Sequence, residues 1–192
     1  MFFWDADLWM FPALLVLHPE MAKSMIEYRY ERLDAARKNA FSHGYKGAMF
    51  PWESAASGVE ETPVWALSGP FEHHITACVG LAAWNYYCVT QDKVWLREKG
   101  WPILSATADF WASRVERNGP GHYDIRNVVA ADEWAENVDN NAFTNGAAKV
   151  LFTTRDRSCG YFGNQSRFGL DGCFGKYSGT PVKRRYTRTR IL

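Results

Sequence analysis

The sequence has 192 residues, 47% of them hydrophobic and 16% aromatic, with nine tryptophans and a formal net charge of +1. That length supports one domain with a real core, and the near-neutral charge excludes no class of partner. There is no run of eighteen apolar residues, no basic segment ahead of the apolar start, and no metal-type or disulfide-type spacing among Cys78, Cys88, Cys159 and Cys173. A membrane span, a signal peptide, a zinc site and a disulfide framework are therefore not expected.

Residues 2–10 read FFWDADLWM and set Trp4-Asp5 at the mouth of a short helix predicted over Asp7–Leu17. Trp stacks on the apolar face of a sugar and Asp accepts hydroxyl hydrogens. Equally, Trp4 is a core anchor and Asp5 a helix N-cap. Pro19 opens a long helix to Phe41, rich in good helix formers, which His43-Gly44 stops. Gly44–Pro70 is a long Gly- and Pro-rich loop whose Phe50, Trp52 and Trp65 argue for order. It carries Trp52-Glu53, either a second sugar contact or part of a structural loop, and Gly44 and Gly47 let the backbone turn closely. Phe71–Thr90 is helical, with Ile75, Val79, Ala82 and Tyr86 on one face. Its neighbouring His73 and His74 point about 100° apart on a helix, which does not suit a shared metal, and they read as helix-terminal polar residues. Leu96–Arg117 is the next helix, with Leu104, Ala108, Trp111 and Val115 aligned, and Gly119-Pro120-Gly121 ends it. His122–Val129 is a candidate short strand. Residues 130–145, AADEWAENVDNNAFTN, then concentrate four carboxylates and four Asn before a helix starting near Asn141–Phe143. They form either a solvated turn or a site where a carboxyl acts as a general acid. Helices joined alternately by short and long connections imply an all-α fold, an incomplete α/α toroid of about four to five helices with its loops gathered at a cleft.

Composition changes near residue 150. Residues 1–150 carry 13 Lys/Arg against 19 Asp/Glu, a net of −6, whereas residues 151–192 carry nine against two, a net of +7, with no Trp and six Gly. Two units follow: 1–150 as a partial helical domain and 151–192 as a basic, irregular tail. A basic arm for nucleic acid or acidic lipid and a disordered tail are two readings. A third is a shift of reading frame, because back-translation with a one-base slip permits an alanine-rich amphipathic helix where the written frame shows no period. The frameshift is the expectation adopted.

The segments FWDADLWMFPALLVLHPE, RLDAARKNAFSHGYKGAMFPWESAASGVEE, EHHITACVGLAAWNYY and ADEWAENVDNNAFTN occur in that order. Together they resemble the core of glycoside hydrolase family 65, over residues 2–150. That family holds inverting disaccharide phosphorylases (maltose, trehalose, kojibiose) and inverting hydrolases (acid trehalases, kojibiose hydrolases, glucosylgalactosyl-hydroxylysine glucosidase). The resemblance implies a partial (α/α)6-barrel catalytic domain and a small carbohydrate substrate. It implies no metal or cofactor, with inorganic phosphate as co-substrate in a phosphorylase, and no nucleic-acid or membrane partner. It assigns Glu133 as general acid, Trp4 and Asp5 to the glucosyl subsite, and Trp52 and Glu53 to the leaving-group subsite. Asn137–Asn145 become the scaffold of Glu133, whose proton burial near Trp134 or the neighbouring Asp132 would hold. The Ala130-Ala131 pair departs from the Gly-Pro common in phosphorylases, which favours hydrolysis of an α-glucoside. The base and any phosphate site fall downstream of residue 150 in the family, so an inactive fragment is the alternative.

Overall fold

A computed structural model describes residues 2–161. In chain order it contains β1 (Phe2–Phe3), a π-helical turn (Ala6–Met10) running into α1 (Phe11–Leu17), α2 (Pro19–Glu31), α3 (Leu33–Ser42), β2 (Glu53–Ser54), α4 (Ser68–Phe71), α5 (His74–Thr90), α6 (Lys93–Trp95), a second π-helical turn (Leu96–Gly100), α7 (Trp101–Arg114), β3 (Glu116–Arg117), β4 (Tyr123–Asp124) and α8 (Ala142–Tyr161). The fold is mostly helical, in keeping with a partial (α/α)6 barrel. Among the described residues no helix is long and apolar enough to cross a membrane.

The core is built around α5. This helix is buried on nearly every side, from His74, Ile75 and Ala77 through Val79, Ala82, Tyr86 and Tyr87. It packs against α1, α2, α7 and α8. Its N-terminal half has no solvated face, and only Asn85, Cys88 and Val89 toward its C-terminus are exposed. Gly80 permits the closest approach: a Cβ there would lie 2.5 Å from Leu151 and 2.6 Å from Thr107. Gln91, at φ +55°, ends the helix in a left-handed turn, and Asp92 then accepts the Trp95 N–H to cap α6.

The long helix expected from Pro19 is two helices, broken at Arg32, where φ −106° and ψ +14° leave the helical region. The helix expected to reach Arg117 stops at Arg114, because Val115 is extended (ψ +141°) and Glu116-Arg117 pair with Tyr123-Asp124 as an antiparallel hairpin. The strand expected over His122–Val129 is only two residues long. Asn127 adopts φ +49°, and the Ile125 N–H goes to the Asn140 side chain instead of a ladder partner. The expectation of an irregular tail is corrected for its first eleven residues, which continue α8 to Tyr161. Leu151, Thr154, Arg155 and Ser158 are buried at i, i+3, i+4 and i+7. That helical face is built from Thr, Arg and Ser, so hydropathy did not reveal it. Residues 162–192 lie outside the described residues.

Residues 48–51 run through the interior. Their backbone N–H groups are satisfied across the core: Ala48 donates to Ala106 O (2.9 Å), Met49 to Ala36 O (3.0 Å) and Phe50 to Thr76 Oγ1 (3.0 Å). Gly47, at φ +71°, makes this possible. A Cβ there would meet Ala106 O at 2.2 Å and Phe110 N at 2.4 Å.

Beneath the N-terminal arm lies a buried ion pair. Arg29 Nη2 is 2.5 Å from Asp7 Oδ2, and Nε reaches Oδ1 at 3.3 Å, with both side chains excluded from water. The guanidinium also stacks on Phe2 and Phe50, at 4.7 and 5.6 Å from their ring centres. Arg29→Ala strands Asp7 in the interior and is expected to destabilise the fold by about 3–5 kcal/mol, whereas the paired change Asp7→Leu with Arg29→Met recovers most of that loss. Urea unfolding of the three proteins measures both; a loss below about 1 kcal/mol in Arg29→Ala rules out the pair as a constraint.

Candidate active site

The arm and the long loop meet through the shortest possible sheet. Phe2 pairs with Ser54 and Phe3 with Glu53, antiparallel. This register sets Trp4-Asp5 beside Trp52-Glu53, with the Phe3 and Trp52 rings 6.2 Å apart. Trp4 is buried and belongs to the core cluster, its edge toward His74 at 4.9 Å. It is thus the anchor the sequence allowed, set at the wall of the site. Asp5 is half-buried and makes no capping hydrogen bond, so the N-cap alternative does not hold.

Glu60 organises the loop that carries Trp52. One of its carboxylate oxygens accepts the backbone N–H of Trp52 (2.9 Å). The other accepts those of Glu53 (3.1 Å) and Thr62 (3.3 Å) and the Thr62 hydroxyl (2.6 Å). The Glu61 N–H closes the loop onto Glu53 O at 3.0 Å.

Glu133 sits at the tip of a hairpin. Val128 and Val138 bridge antiparallel, the Ala130 N–H donates to Ala135 O (3.1 Å), and the Ala135 N–H donates to Asp132 O (2.8 Å). Asn137 and Asn140 take the left-handed conformations that Asn tolerates, at φ +52° and +53°. Asn140 ties the hairpin to Asp124 and Ile125, and Asn141 accepts from Thr144 to cap α8. The Val129 N–H donates to Phe71 O (3.1 Å), which docks the hairpin beside Glu72. Trp134 is 96% exposed and gives Glu133 no apolar cover, and Asp132 is occupied with the Trp134 N–H. Glu133 itself is exposed.

Glu72 and His74 complete the arrangement, and neither was singled out as a site residue in the sequence. Glu72 is buried, its carboxyl pushed up to about 9 by burial first and by the nearby Glu133 second, with Asp5 and Glu60 adding to the effect. Asp5, Glu60, Glu72 and Glu133 thus come from four separate segments to one place. Burial lowers His74 to about 4. The available signal was Glu72 itself, a charge just ahead of a strongly apolar helix. The adjacent His73 has a different duty: its Nε2–H donates to Pro70 O (2.8 Å) and its Nδ1 accepts from Arg114 (3.1 Å), joining α5 to α7. Burial and Arg114 lower it to about 3. Among the described residues no cluster of His, Cys, Asp and Glu is arranged to hold a metal. A cavity of about 640 Å³ lined by Arg37, Tyr45, Lys46, Trp101 and Asp109 contains none of these site residues.

Residues 1–174 match the model of the glycosyl hydrolase family 65 central catalytic domain. That match runs past the change in composition at residue 150. The chain is 82% identical over 148 residues to a kojibiose hydrolase of Mucilaginibacter mallensis, covering 77% of this chain and 22% of that protein. It is 45% identical over 158 residues to a kojibiose phosphorylase of Thermoanaerobacter brockii, covering 77% of this chain and 20% of that protein. A solved structure described provisionally as a kojibiose phosphorylase from the human microbiome superposes with a TM-score of 0.79 at 26% identity, over 90% of this chain and 25% of that one. The chain spans about a fifth of the length of these relatives.

Two outcomes follow from this geometry. Removing the Glu60 carboxylate (Glu60→Ala) frees the N–H groups of Trp52, Glu53 and Thr62, and a cost of about 1–3 kcal/mol is expected. Hydrogen exchange should show those three amides losing protection while α5 keeps its own. For His73, the unfolded chain takes up a proton near pH 6.5, but the folded chain does so only near 3. The stability this residue contributes is therefore complete above about pH 6.5 and lost as pH falls toward 3. The deficit of His73→Gln against the parent should be large at pH 7 and shrink by pH 4 in thermal unfolding; a deficit constant with pH contradicts a buried neutral imidazole.

Proposed function

The chain belongs to glycosyl hydrolase family 65, and on that premise we propose that it is the acid-bearing part of an inverting enzyme that hydrolyses kojibiose, an α-glucosyl disaccharide. The observation that carries this reading is the convergence of Glu133 with Asp5, Trp52 and Glu72 at the junction of arm, loop and hairpin. In the proposed reaction Trp4 and Asp5 hold the glucosyl unit, with Asp5 accepting hydroxyl hydrogens, and Trp52 and Glu53 flank the leaving sugar. Glu133 gives its proton to the glycosidic oxygen as the bond to the anomeric carbon breaks. Water attacks that carbon from the opposite face and gives up a proton to a second carboxylate, which in the family falls after residue 150, so the configuration inverts. Grouped carboxylates suit this chemistry, because positive charge grows on the sugar ring in the transition state. Trp134, exposed in the described residues, is free to meet a sugar or a further part of the enzyme.

Identity of 82% to a kojibiose hydrolase, against 45% to a kojibiose phosphorylase, supports water over phosphate as the attacking group. Ala130-Ala131 ahead of Asp132-Glu133 supports the same choice.

The reading is tested by exchanging the matched 148-residue stretch of the Mucilaginibacter mallensis enzyme for the one in this chain. The chimaera should release glucose from kojibiose without phosphate. Glu133→Gln should lower kcat by about 10²–10⁴-fold with little change in KM, while Glu136→Gln on the same hairpin serves as the control. Glucose 1-phosphate formed only when phosphate is present would replace hydrolysis with phosphorolysis, and a fully active Glu133→Gln would remove Glu133 as the acid.

A further inference from the structure

Glu72 lies just ahead of α5 and His74 is its first residue, so both are carried by the most enclosed helix of the fold. Both side chains are cut off from solvent. Nε2 of His74 is 2.8 Å from Oε1 of Glu72, yet off the line of a hydrogen bond. Both carboxyl oxygens and both ring nitrogens are left without a directed partner, as is the buried indole N–H of Trp52. The His74 ring packs edge-on against Trp4 at 4.9 Å and against Phe143 of α8 at 5.0 Å. The Glu72 carboxyl in turn neighbours the Trp52 indole. One pair of side chains thus reaches both tryptophans of the cleft.

We propose that Glu72 and His74 form a buried pair without net charge that positions Trp4 and Trp52 and presents a neutral neighbour to Glu133. This rests on the reading of Glu133 as the acid. The groups facing Glu72 are Asp5 from the arm, Glu60 from the loop, Glu133 from the hairpin and His74 on α5. Cys78, one turn along α5, is a buried thiol pushed up to about 12 and carries no charge at neutral pH. Phe143 covers the α8 side with an apolar ring. Among the described residues, the charged side chains that act on Glu72 are these three acidic ones, which oppose its ionisation, and burial holds His74 neutral. A protonated Glu72 donates its O–H to one imidazole nitrogen and accepts from the Trp52 N–H, which partners the carboxyl, that nitrogen and the indole without placing charge in the interior. An ionised Glu72 would add a second negative charge beside Glu133 and oppose the charge that Glu133 acquires on giving up its proton. Glu72 and His74 are positioning residues and do not touch substrate.

The test uses the 192-residue chain itself. The Glu72 side-chain ¹³C signal and the Trp52 indole ¹⁵N–¹H signal are followed from pH 5 to 10, assigned with Glu72→Gln and Trp52→Phe. The carboxyl should titrate near pH 9, with the Trp52 signal moving at the same midpoint, and that movement should vanish in Glu72→Gln. Thermal unfolding supplies a second readout. The folded chain keeps a proton that the unfolded chain releases near pH 4.5, so the parent loses stability as pH rises from there to about 9. Glu72→Gln lacks that slope, and its Tm relative to the parent should climb by several degrees across the interval. A carboxyl midpoint between 4 and 5, or a Tm difference running the other way, overturns the uncharged pair in favour of an ion pair. A Trp52 signal indifferent to Glu72 overturns the positioning role. If Glu72→Gln does not fold, the parent titration alone decides. No step reads turnover, so failure here is distinct from failure of the Glu133→Gln assay.

Discussion

The buried ion pair between Asp7 and Arg29 is the constraint on which the site depends. It joins the N-terminal arm to α2 at a point from which water is excluded. A buried pair of this kind contributes little net stability, because desolvation offsets most of the attraction. What it imposes is geometry. Bidentate Arg–carboxylate contact tolerates few alternatives, and leaving either partner alone is far more costly than keeping both. Arg29 also lies over Phe2, so the same guanidinium that holds Asp7 holds β1 in line for its pairing with β2.

From that anchored arm the rest of the site is assembled by backbone contacts. A two-residue ladder has little intrinsic stability. It persists because Arg29 holds one side and the Glu60 carboxylate braces the other. The hairpin bearing Glu133 is fastened in the same way, through Val129 to the residue before Glu72. Side chains from four segments converge because each segment is tied through its main chain to a neighbour, and the neighbours all rest on α5.

This construction explains how acidic groups can be gathered without tearing the site apart. Like charges in one place repel, and a buried one pays desolvation besides. The described structure distributes the burden by burial: Glu133 and Asp5 remain in contact with solvent, Glu60 is saturated with N–H donors, and Glu72 is enclosed and held in its acid form. The four carboxyl groups thus occupy three different settings, and only the enclosed one has its proton affinity strongly raised.

Much of this was readable in the sequence. The long helices announced themselves by their apolar faces and helix-forming composition, the Gly44–Pro70 loop by its glycines and prolines, and its order by its aromatic residues. Pairing of Trp4-Asp5 with Trp52-Glu53 was implied by family resemblance, and composition alone left both motifs ambiguous between core and site. The break at Arg32 and the early end of α7 were hidden, because no Gly or Pro marks either place. The continuation of α8 past residue 150 was hidden too, since Thr154, Arg155 and Ser158 form its inner face.

The sequence by itself determined the elements and the family, because hydrophobic period and long ordered motifs are properties of neighbouring residues. Only the tertiary structure decided which carboxyl groups are buried. Glu72, Glu60 and Glu133 have one chemistry and similar surroundings in the chain. They differ in what is folded over them: α5 and the tryptophans over the first, backbone N–H groups around the second, open solvent beside the third. Proton affinity follows desolvation and neighbouring charge, and both are set by contacts between residues far apart in sequence. That also separated two adjacent histidines, one turned to the α5–α7 contact and one to Trp4 and Phe143.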